Sequence, residues 1–391
     1  MHYWGWPAAS ILRGLRRIRS VQEIKWGLNS VNIVVTVGVQ IASIPALERL
    51  FRMGIVDFRL PLAKQLPNGH LETARQIARL GEIHGHKASV IMDLPGSKPR
   101  LTNRTQQYIE SGELVEFSLV AERTDGERAD IKCFGIAGFG DHRPGVGKLI
   151  VSGDGELAFA IEDAGTQWFR ARALRGGRLG PCRGLTIQGE HSNFTTLTKQ
   201  DQQSLALLAD GAFTSVMLSF VESADTIHSV RRMIGAIVGR DRPPLEIIAK
   251  IETLTGVRCI AEICTAADRI LLGRGDLLLS VGPIEFFSAA EAVIRAVTAA
   301  GKPLIVGTQL LNSMSDDWLP NRSELSHLSR LIANGVDGFL LSFETSAGRN
   351  PYGSIELIQA LHRKYFPSTV DPGADCHWAQ GLACQGSHAT T

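Results

Sequence analysis

Three charged side chains follow two apolar runs of the chain, and their types suit metal-assisted chemistry. Lys250 and Glu252 end the run 246–251, and Asp276 comes just after the run 269–273. Two carboxylates at neighbouring strand ends suit a hard divalent cation such as Mg²⁺ or Mn²⁺, which takes few protein ligands and leaves room for substrate oxygens. A lysine between them supplies the fixed positive charge that phosphoryl transfer needs. The pattern therefore predicts a catalytic site, with a structural ion pair of Lys250 and Glu252 as the alternative.

The composition limits the function classes. The chain has 391 residues, 44% of them hydrophobic and 20% charged, which is enough for one large domain or two. A net charge of +2 gives no electrostatic argument for a nucleic-acid partner. The longest apolar stretches fall short of the roughly 18 residues of a membrane span, so no membrane is expected. The six cysteines show neither metal-ligand spacing nor a compact disulfide framework, which favours a reducing cytoplasm.

The elements that must position these residues follow a regular alternation. Short β-branched runs alternate with amphipathic segments of helix length, which is typical of parallel strands with helical crossovers. The predicted strands are 31–37, 56–60, 89–94, 215–220, 246–251, 269–273, 303–308 and 338–342. The predicted helices are 44–53, 71–84, 199–209, 224–238, 284–300, 323–334 and 353–365. Eight such units predict an α/β fold, a (β/α)8 TIM barrel.

One interval breaks this rhythm. Between residues 100 and 184 the pattern changes to short alternating segments with Gly-Asp turns, which predicts a small all-β module inserted after the third strand. The predicted domains are then a barrel of residues 31–100 and 184–366 and an inserted β-barrel lid of residues 101–183. Residues 1–30 form a basic N-terminal arm, and residues 367–391 are expected to be a disordered tail.

A barrel of this kind gathers its chemistry at the carboxyl ends of the strands. Polar residues stand at the ends of seven of the eight apolar runs, which a chance distribution of solvated strand ends explains poorly. These residues are Arg59, Asp93, Ser219, Lys250 with Glu252, Arg274 with Asp276, Thr308, and Ser342 with Glu344.

The motifs at these positions resemble those of the pyruvate kinase family, over roughly residues 31–366. They are Ile-Ala-Lys-Ile-Glu at 248–252, Arg-Gly-Asp-Leu at 274–277, Gly-Thr-Gln-Leu-Leu-Asn-Ser-Met at 307–314, Pro-Asn-Arg-Ser-Glu at 320–324 and Leu-Ser-Phe-Glu-Thr at 341–345. The resemblance implies a phosphotransferase that converts phosphoenolpyruvate and ADP to pyruvate and ATP. It implies these two small molecules as partners and leaves a homo-oligomer open.

The resemblance also implies roles for individual residues. Glu252 and Asp276 would hold the divalent ion, and Lys250 would neutralise charge on the transferring phosphoryl group. Thr308 would lie beside the carbon atom that is protonated to give pyruvate. Backbone amides around Gly275 and Asp276 would receive the substrate carboxylate at a helix start.

For the nucleotide half of the site, the resemblance implies four residues. Arg59 would contact the transferring phosphoryl group, and Arg100 would contact the nucleotide phosphates. In the lid, Asp154 falls at an acidic hinge position, and Arg183 stands where the family has a phosphate-binding lysine. Arginine keeps the charge there but changes its geometry.

The chain departs from the family at the monovalent-cation site. The family's potassium-binding asparagine and serine are replaced by Pro61 and Ala63, which have no side-chain oxygen to offer. Lys98 stands where potassium-dependent members have glutamate, and members with lysine there dispense with potassium. We therefore expect that K⁺ is not required and that the ammonium group of Lys98 takes its place.

Other departures leave the activity open. Val39, Phe343 and Ala347 replace a proline, a glycine and a lysine of the family, while His327 and Arg330 change the helix after residue 322. The family's C-terminal domain, which has the effector site, has no counterpart in this sequence, so allosteric control of that kind is expected to be absent. Two alternatives follow: a metal-dependent lyase (decarboxylase or aldolase) acting on a 2-oxo acid through an enolate, and a non-catalytic homologue that binds phosphoenolpyruvate.

Overall fold

The computed structural model describes residues 31–119, 126–128, 131–138, 144–153, 155–189 and 197–366, with the backbone alone for 126–128. The predicted basic arm (1–30) and the predicted tail (367–391) lie outside these described residues, so both stay predictions. The same is true of Asp154.

Eight parallel strands form a closed barrel, as predicted. The sequence runs that specify them are short, rich in Val, Ile and Leu, and buried along nearly their whole length, as parallel strands covered on both faces must be. In chain order the strands are Asn32–Thr36, Asp57–Pro61, Ser89–Leu94, Ser215–Leu218, Glu246–Ile251, Arg269–Gly273, Leu304–Gly307 and Gly338–Leu341.

The barrel closes where its first strand pairs with its last. The first strand pairs with the eighth from Asn32↔Gly338 to Val35↔Leu341. Beyond the strands, the hydroxyl of Thr345 accepts a hydrogen bond from the Thr36 amide at 3.1 Å. It also donates one to the Thr36 carbonyl at 3.0 Å. These bonds fix the carboxyl end of the first strand against the short helix Phe343–Ser346, which follows the eighth strand.

Alternate residues of each strand face opposite sides of the barrel wall. The side chains that fill the interior form their own cluster, to which seven strands contribute: Val34, Ile91, Met217, Ile248, Leu271, Ile305 and Leu340. The other face packs against the helices in a larger core. Because the interior is filled with side chains, ligands can approach only at its two ends, and the polar strand ends lie at the carboxyl one.

The longer described helices lie where the amphipathic segments predicted them, and three short α-helices are additional. The main ones are Ile44–Arg52, His70–Ile83, Lys199–Leu205, Ala224–Val238, Arg274–Ala299, Arg322–Ala333 and Pro351–Tyr365. Two short helices, Leu254–Arg258 and Ile260–Ala266, follow the fifth strand and were not predicted individually. The hydroxyl of Thr253 caps the first of them by accepting a hydrogen bond from the Gly256 amide at 3.1 Å.

The helix Arg274–Ala299 begins ten residues before the predicted 284–300. Gly282, with φ 80° and ψ 166°, breaks it just before Pro283, so the sequence signal for a helix start at Pro283 marks a kink. By length and composition alone this helix could also cross a membrane. It contacts the sixth and seventh barrel strands and the sheet inserted between the third and fourth barrel strands, so it is a barrel helix in this structure.

That inserted sheet is built mainly from antiparallel pairs. Its strands follow the spatial order Leu185–Ile187, Leu149–Ser152, Leu157–Ala164, Trp168–Arg175, Leu114–Ser118, Ile131–Ala137, Arg100–Leu101. A separate core under it includes Phe117, Phe134, Phe159 and Phe169. The fold class is therefore a (β/α)8 barrel with an inserted all-β domain, as predicted. The exact domain boundaries at 100/101 and 183/184 stay a prediction.

Candidate active site

The ammonium group of Lys250 lies at the carboxyl end of the fifth strand, surrounded by acceptors. Its Nζ donates to the hydroxyl of Ser219 at 2.9 Å, lies 3.1 Å from Glu252 Oε1 and lies 3.7 Å from Asp93 Oδ1. Burial alone would lower the pKa of this lysine, but the charges of Asp93 and Glu252 outweigh it and raise the pKa above 10.5. Lys250 is therefore a permanent cation that is only 12% exposed.

Glu252 is the more deeply buried of the two predicted metal ligands. Its side chain is 5% exposed, and its Oε2 accepts a hydrogen bond from the Phe220 amide at 3.1 Å. Phe220 adopts a φ of 55°, which is unusual for a residue with a side chain and aims its amide at this oxygen. Burial, followed by the like charge of Asp276, raises the pKa of Glu252 above 4.5, while Lys250 opposes the rise.

Asp93, at the end of the third strand, lies between Lys250 and Arg59. Its Oδ2 accepts from Arg59 Nε at 3.0 Å and from Arg59 Nη2 at 2.7 Å. Arg59 also donates to the Thr36 hydroxyl at 2.9 Å, so its guanidinium is held by the ends of the first and third strands. Since Arg59 is 15% exposed and already oriented, a substrate oxygen would meet a fixed donor.

Asp276 occupies the first turn of the helix that follows the sixth strand. Its Oδ1 forms a short ion pair with the ammonium group of Lys98, and the two side chains are 29% and 13% exposed. The sixth strand pairs in parallel with the fifth, so Asp276 and Glu252 come from adjacent strand ends. The structure thus brings the two predicted metal ligands to the same edge of the barrel.

Thr308 and Gly275 lie against each other. A Cβ atom on Gly275 would stand 2.8 Å from Cγ2 of Thr308, a distance that real contacts do not reach. Thr308 has a φ of 72°, and Gln309 follows with 51°, so the chain after the seventh strand is strained at the predicted site residue. The glycine at 275 is required because the threonine side chain fills the space beside the helix start.

A cleft of about 230 Å³ lies between the carboxyl end of the barrel and the lid, and Glu252, Gly275 and Thr308 are not among its lining residues. Arg59, Lys98, Arg100, Lys250 and Asp276 all line it. Arg100 is exposed and donates to the Cys182 carbonyl at 3.1 Å, so the lid's two connections to the barrel hold it at the rim.

Arg183 lies on the lid side of the cleft, behind the residues that line it. It pairs with Glu156 at 2.7 Å and packs against Gly153, which itself lines the cleft. Asp154, the predicted hinge residue beside it, lies outside the described residues. The structure therefore places Arg100 at the cleft and Arg183 beside its lid wall.

Asp93 and Ser219 were identified from the sequence only as polar residues at strand ends, yet both contact the charged residues of the site. Asp93 orients Arg59 and faces Lys250, and Ser219 accepts from Lys250 while donating to the Leu94 carbonyl at 2.7 Å. The strand-end rule placed both residues at the correct edge, but it could not tell which cation each would contact.

The donor set fits a divalent cation. Within the part of the chain that the structure describes, no group of three or more His, Cys, Asp or Glu side chains forms a closed metal cage. Glu252 and Asp276 are oxygen donors at adjacent strand ends, and burial of Glu252, followed by the charge of Asp276, raises the pKa of Glu252. A Mg²⁺-type site with two carboxylates and substrate or water oxygens has this character.

Fold and site together describe a (β/α)8-barrel enzyme whose carboxyl-end cleft is covered by an inserted β domain and arranged for an anionic substrate. A family model described as pyruvate kinase, barrel domain, matches residues 28–355. The chain belongs to the pyruvate kinase family, and it is a pyruvate-kinase-like phosphotransferase.

Individual relatives agree. A pyruvate kinase of Agrobacterium vitis is 30% identical over 86% of this chain and 69% of its own length. One from Encephalitozoon cuniculi is 26% identical over 84% of this chain and 74% of its own. A crystal structure of a pyruvate kinase from Cryptosporidium parvum shares the fold, with a TM-score of 0.78 at 21% identity, over 86% of this chain and 69% of that one. The lyase and the non-catalytic homologue are not favoured by these findings.

Proposed function

We propose that the chain transfers the phosphoryl group of phosphoenolpyruvate to ADP, giving pyruvate and ATP. The observation that carries this proposal is the position of Lys250, a permanent cation fixed by Ser219, Asp93 and Glu252 at the wall of the cleft. Charge that develops on a phosphoryl group in transfer would meet an ammonium that needs no reorganisation. Arg59, locked on Asp93, adds a second fixed positive charge on the same wall.

Each end of the substrate has a candidate partner in this arrangement. The helix start at Gly275 and Asp276 offers free amides for the carboxylate, because the first turn of a helix leaves its N–H groups unpaired. Thr308, packed on Gly275, lies beside that position and is suited to guide the proton to the methylene carbon. Arg100 at the rim and Arg183 beside the lid wall would bind the ADP phosphates, with Asp154 as the predicted hinge residue.

A divalent ion would be held by Glu252 and Asp276, and Mg²⁺ or Mn²⁺ fits these ligands. When bound, such an ion supplies positive charge to the substrate's carboxylate and phosphoryl oxygens. The buried environment of Glu252 also keeps water from competing for its carboxylate, which is 5% exposed.

We further propose that potassium is not required. Pro61 and Ala63 line the cleft without a side-chain oxygen to offer a monovalent cation, and Lys98 brings an ammonium group into the same cleft. The cytoplasm is the proposed location, consistent with the reduced cysteines expected there. Phosphoenolpyruvate and ADP are the proposed partners, and a homo-oligomer stays open.

The experiment measures pyruvate and ATP separately, from phosphoenolpyruvate and Mg²⁺, with and without ADP and with and without K⁺. Lys250→Ala is the control. Pyruvate and ATP in equal amounts, dependent on ADP and on Lys250 but not on K⁺, are the expected result. Pyruvate without ATP, formed equally well without ADP, would instead support the lyase. The absence of both products from a folded, metal-binding protein would overturn the proposal.

A further inference from the structure

Lys98 and Asp276 meet across a long stretch of sequence. They lie 178 positions apart, and the Lys98 ammonium forms a short ion pair with Asp276 Oδ1. Asp276 is one of the two proposed metal ligands, so a cation of the protein already pairs with the carboxylate that would hold a divalent ion. Both side chains are largely buried, at 13% and 29% exposure, so water screens this pair only in part.

The side-chain stem of Lys98 lies against the connection by which the chain leaves the lid. A Cβ atom on Gly184 would stand 2.7 Å from Cε of Lys98, so the lysine lies directly on the chain as it leaves the lid. On the other side, Gly138 of the lid lies close to the backbone carbonyl of Lys98: a Cβ atom added to this glycine would stand 3.4 Å from the carbonyl oxygen. The ion pair therefore joins the base of the lid to the metal-binding edge of the barrel.

The same cleft offers a second carboxylate oxygen to an ammonium group. Oδ1 of Asp93 is buried and, within the described ranges, receives no hydrogen bond; its nearest cation is Lys250 at 3.7 Å. Asp93 and Lys98 both line the cleft. If a divalent ion occupied Asp276, repulsion would drive the ammonium group away from it, and this oxygen is an acceptor within the same space.

We propose that Lys98 is an internal competitor of the divalent ion for Asp276. It weakens metal binding to the substrate-free protein, and metal binding in turn breaks the ion pair between Lys98 and Asp276. This inference rests on the proposed function only in taking Glu252 and Asp276 as the metal ligands.

The test is a titration of the substrate-free protein with Mn²⁺, followed by electron paramagnetic resonance of the free ion. Three proteins are compared: unaltered, Lys98→Met and Lys64→Met. Lys64 also lines the cleft, so its substitution removes the same charge from the same field without touching Asp276. Lys98→Met is expected to bind Mn²⁺ about tenfold more tightly than Lys64→Met, which corresponds to one hydrogen bond to a charged group.

A second variant disturbs the ion pair of Lys98 and Asp276 without changing the charge of the protein. Gly184→Ala would press its methyl group on the flexible end of Lys98 and displace the ammonium, so Mn²⁺ affinity is expected to rise, by less than in Lys98→Met. Equal Mn²⁺ affinities of Lys98→Met and Lys64→Met, or weaker binding by Lys98→Met, would overturn the competition. Failure of every variant and of the unaltered protein to bind Mn²⁺ would overturn both the competition and the proposed metal ligands.

Discussion

Asp93 and Lys250 face each other across the ends of the third and fifth strands, with 3.7 Å between Oδ1 and Nζ. The two strands are not neighbours, because the fourth strand runs between them. The pair therefore spans the mouth of the barrel. Since Asp93 also binds Arg59 through its other oxygen, this one carboxylate sets the position of both cations proposed to meet the phosphoryl group.

Substituting Asp93→Asn should lower kcat/KM by on the order of a hundredfold, because Arg59 loses its charged partner and both cations lose their fixed position. A pH profile gives the second readout. The pKa of Lys250 is raised because Asp93 and Glu252 outweigh burial, so its charge persists above pH 10.5. Without the Asp93 charge, the pKa of Lys250 falls, and the alkaline limb of kcat/KM should move to lower pH.

The stability of the folded protein should also fall at alkaline pH because of Lys250. A lysine whose folded pKa is raised contributes stability below its ordinary pKa of 10.5 and loses it as the pH rises through the folded value. An Asp93→Asn protein with unchanged alkaline behaviour would contradict the assignment of Asp93 to Lys250. Asp225→Asn, an exposed-face substitution in the first turn of the helix Ala224–Val238, serves as the charge-matched control.

Divalent-ion binding should weaken as the pH falls, and this loss should occur at a pH above 4.5, the ordinary pKa of glutamate. Burial and the charge of Asp276 raise the pKa of Glu252 above 4.5, and a protonated carboxyl cannot serve as a metal ligand. Calorimetric Mn²⁺ titrations at several pH values should therefore show affinity lost as the pH falls through that raised pKa. Glu252→Gln should abolish most binding, by more than about a hundredfold, since a ligand matters more than an outer-shell partner.

In the metal-free protein, protonation of Glu252 should have the opposite effect, because it stabilises the folded state. A carboxyl with a raised pKa takes up its proton in the folded state first, so its contribution to stability grows as the pH falls through the folded value. Glu252→Gln should remove this effect from urea unfolding curves. A Mn²⁺ affinity that does not fall on acidification, together with binding retained in Glu252→Gln, would rule out Glu252 as a ligand.

Gly275→Ala should cost activity through Thr308. The added methyl group would stand 2.8 Å from Cγ2 of Thr308, so either the threonine or the helix start must shift. A misplacement of this size is expected to reduce kcat by about ten- to a hundredfold. Thr308→Ser removes the obstructing methyl group and keeps the hydroxyl, so the double variant should recover much of the loss.

A double-mutant cycle shows whether Gly275 and Thr308 affect kcat through their mutual contact or independently of each other. If Gly275→Ala and Thr308→Ser lowered kcat independently, with additive free energies, the two residues would not act through this contact. Recovery in the double variant, measured as kcat at saturating substrate, would establish it.

His327 makes the protein sensitive to mild acid. Its burial, followed by the charges of Arg274 and Arg330, lowers its pKa from 6.5 to about 4. A histidine with a lowered folded pKa contributes stability above its unfolded value and loses it as the pH falls toward the folded one. The window therefore runs from about pH 6.5 down to about pH 4.

In that window His327→Gln should flatten the decline of the unfolding free energy. The expected difference is about 1 kcal/mol, reduced from the full linkage value because the side chain is only half buried. Urea unfolding at pH 7.5 and at pH 5 provides the measurement, with exposed His228→Gln as the control. Parallel pH dependence in the two variants would contradict the role of His327.

The barrel was predictable from sequence because its strands are specified locally. Runs such as 246–251 and 269–273 have the exact bounds of their strands, since a buried parallel strand shows as a short, nearly continuous apolar run. The short helices Leu254–Arg258 and Ile260–Ala266 were missed because five to seven residues give too little periodicity. The early start of the helix Arg274–Ala299 was hidden by Gly282 and Pro283, which read as a helix start.

The site was predictable as a set of residue types but not as a set of contacts. Strand ends placed Asp93 and Ser219 at the correct edge, yet only the closed barrel decides that both meet Lys250. Lys98 and Asp276 are 178 positions apart in the chain, and their pairing depends on how the lid is placed against the barrel. Such pairings follow from tertiary geometry, which no local pattern in the sequence encodes.

The hydrogen bonds between Thr345 and Thr36 bear on how the protein is made. They join residues 309 positions apart, and Thr36 in turn holds the guanidinium of Arg59. A ribosome must therefore synthesise the eighth strand and the start of the next helix before Arg59 can reach its final position. Folding that depends on such distant contacts is slow. Nascent chains that stop before residue 338 should bind no substrate, although seven of the eight strands are already present.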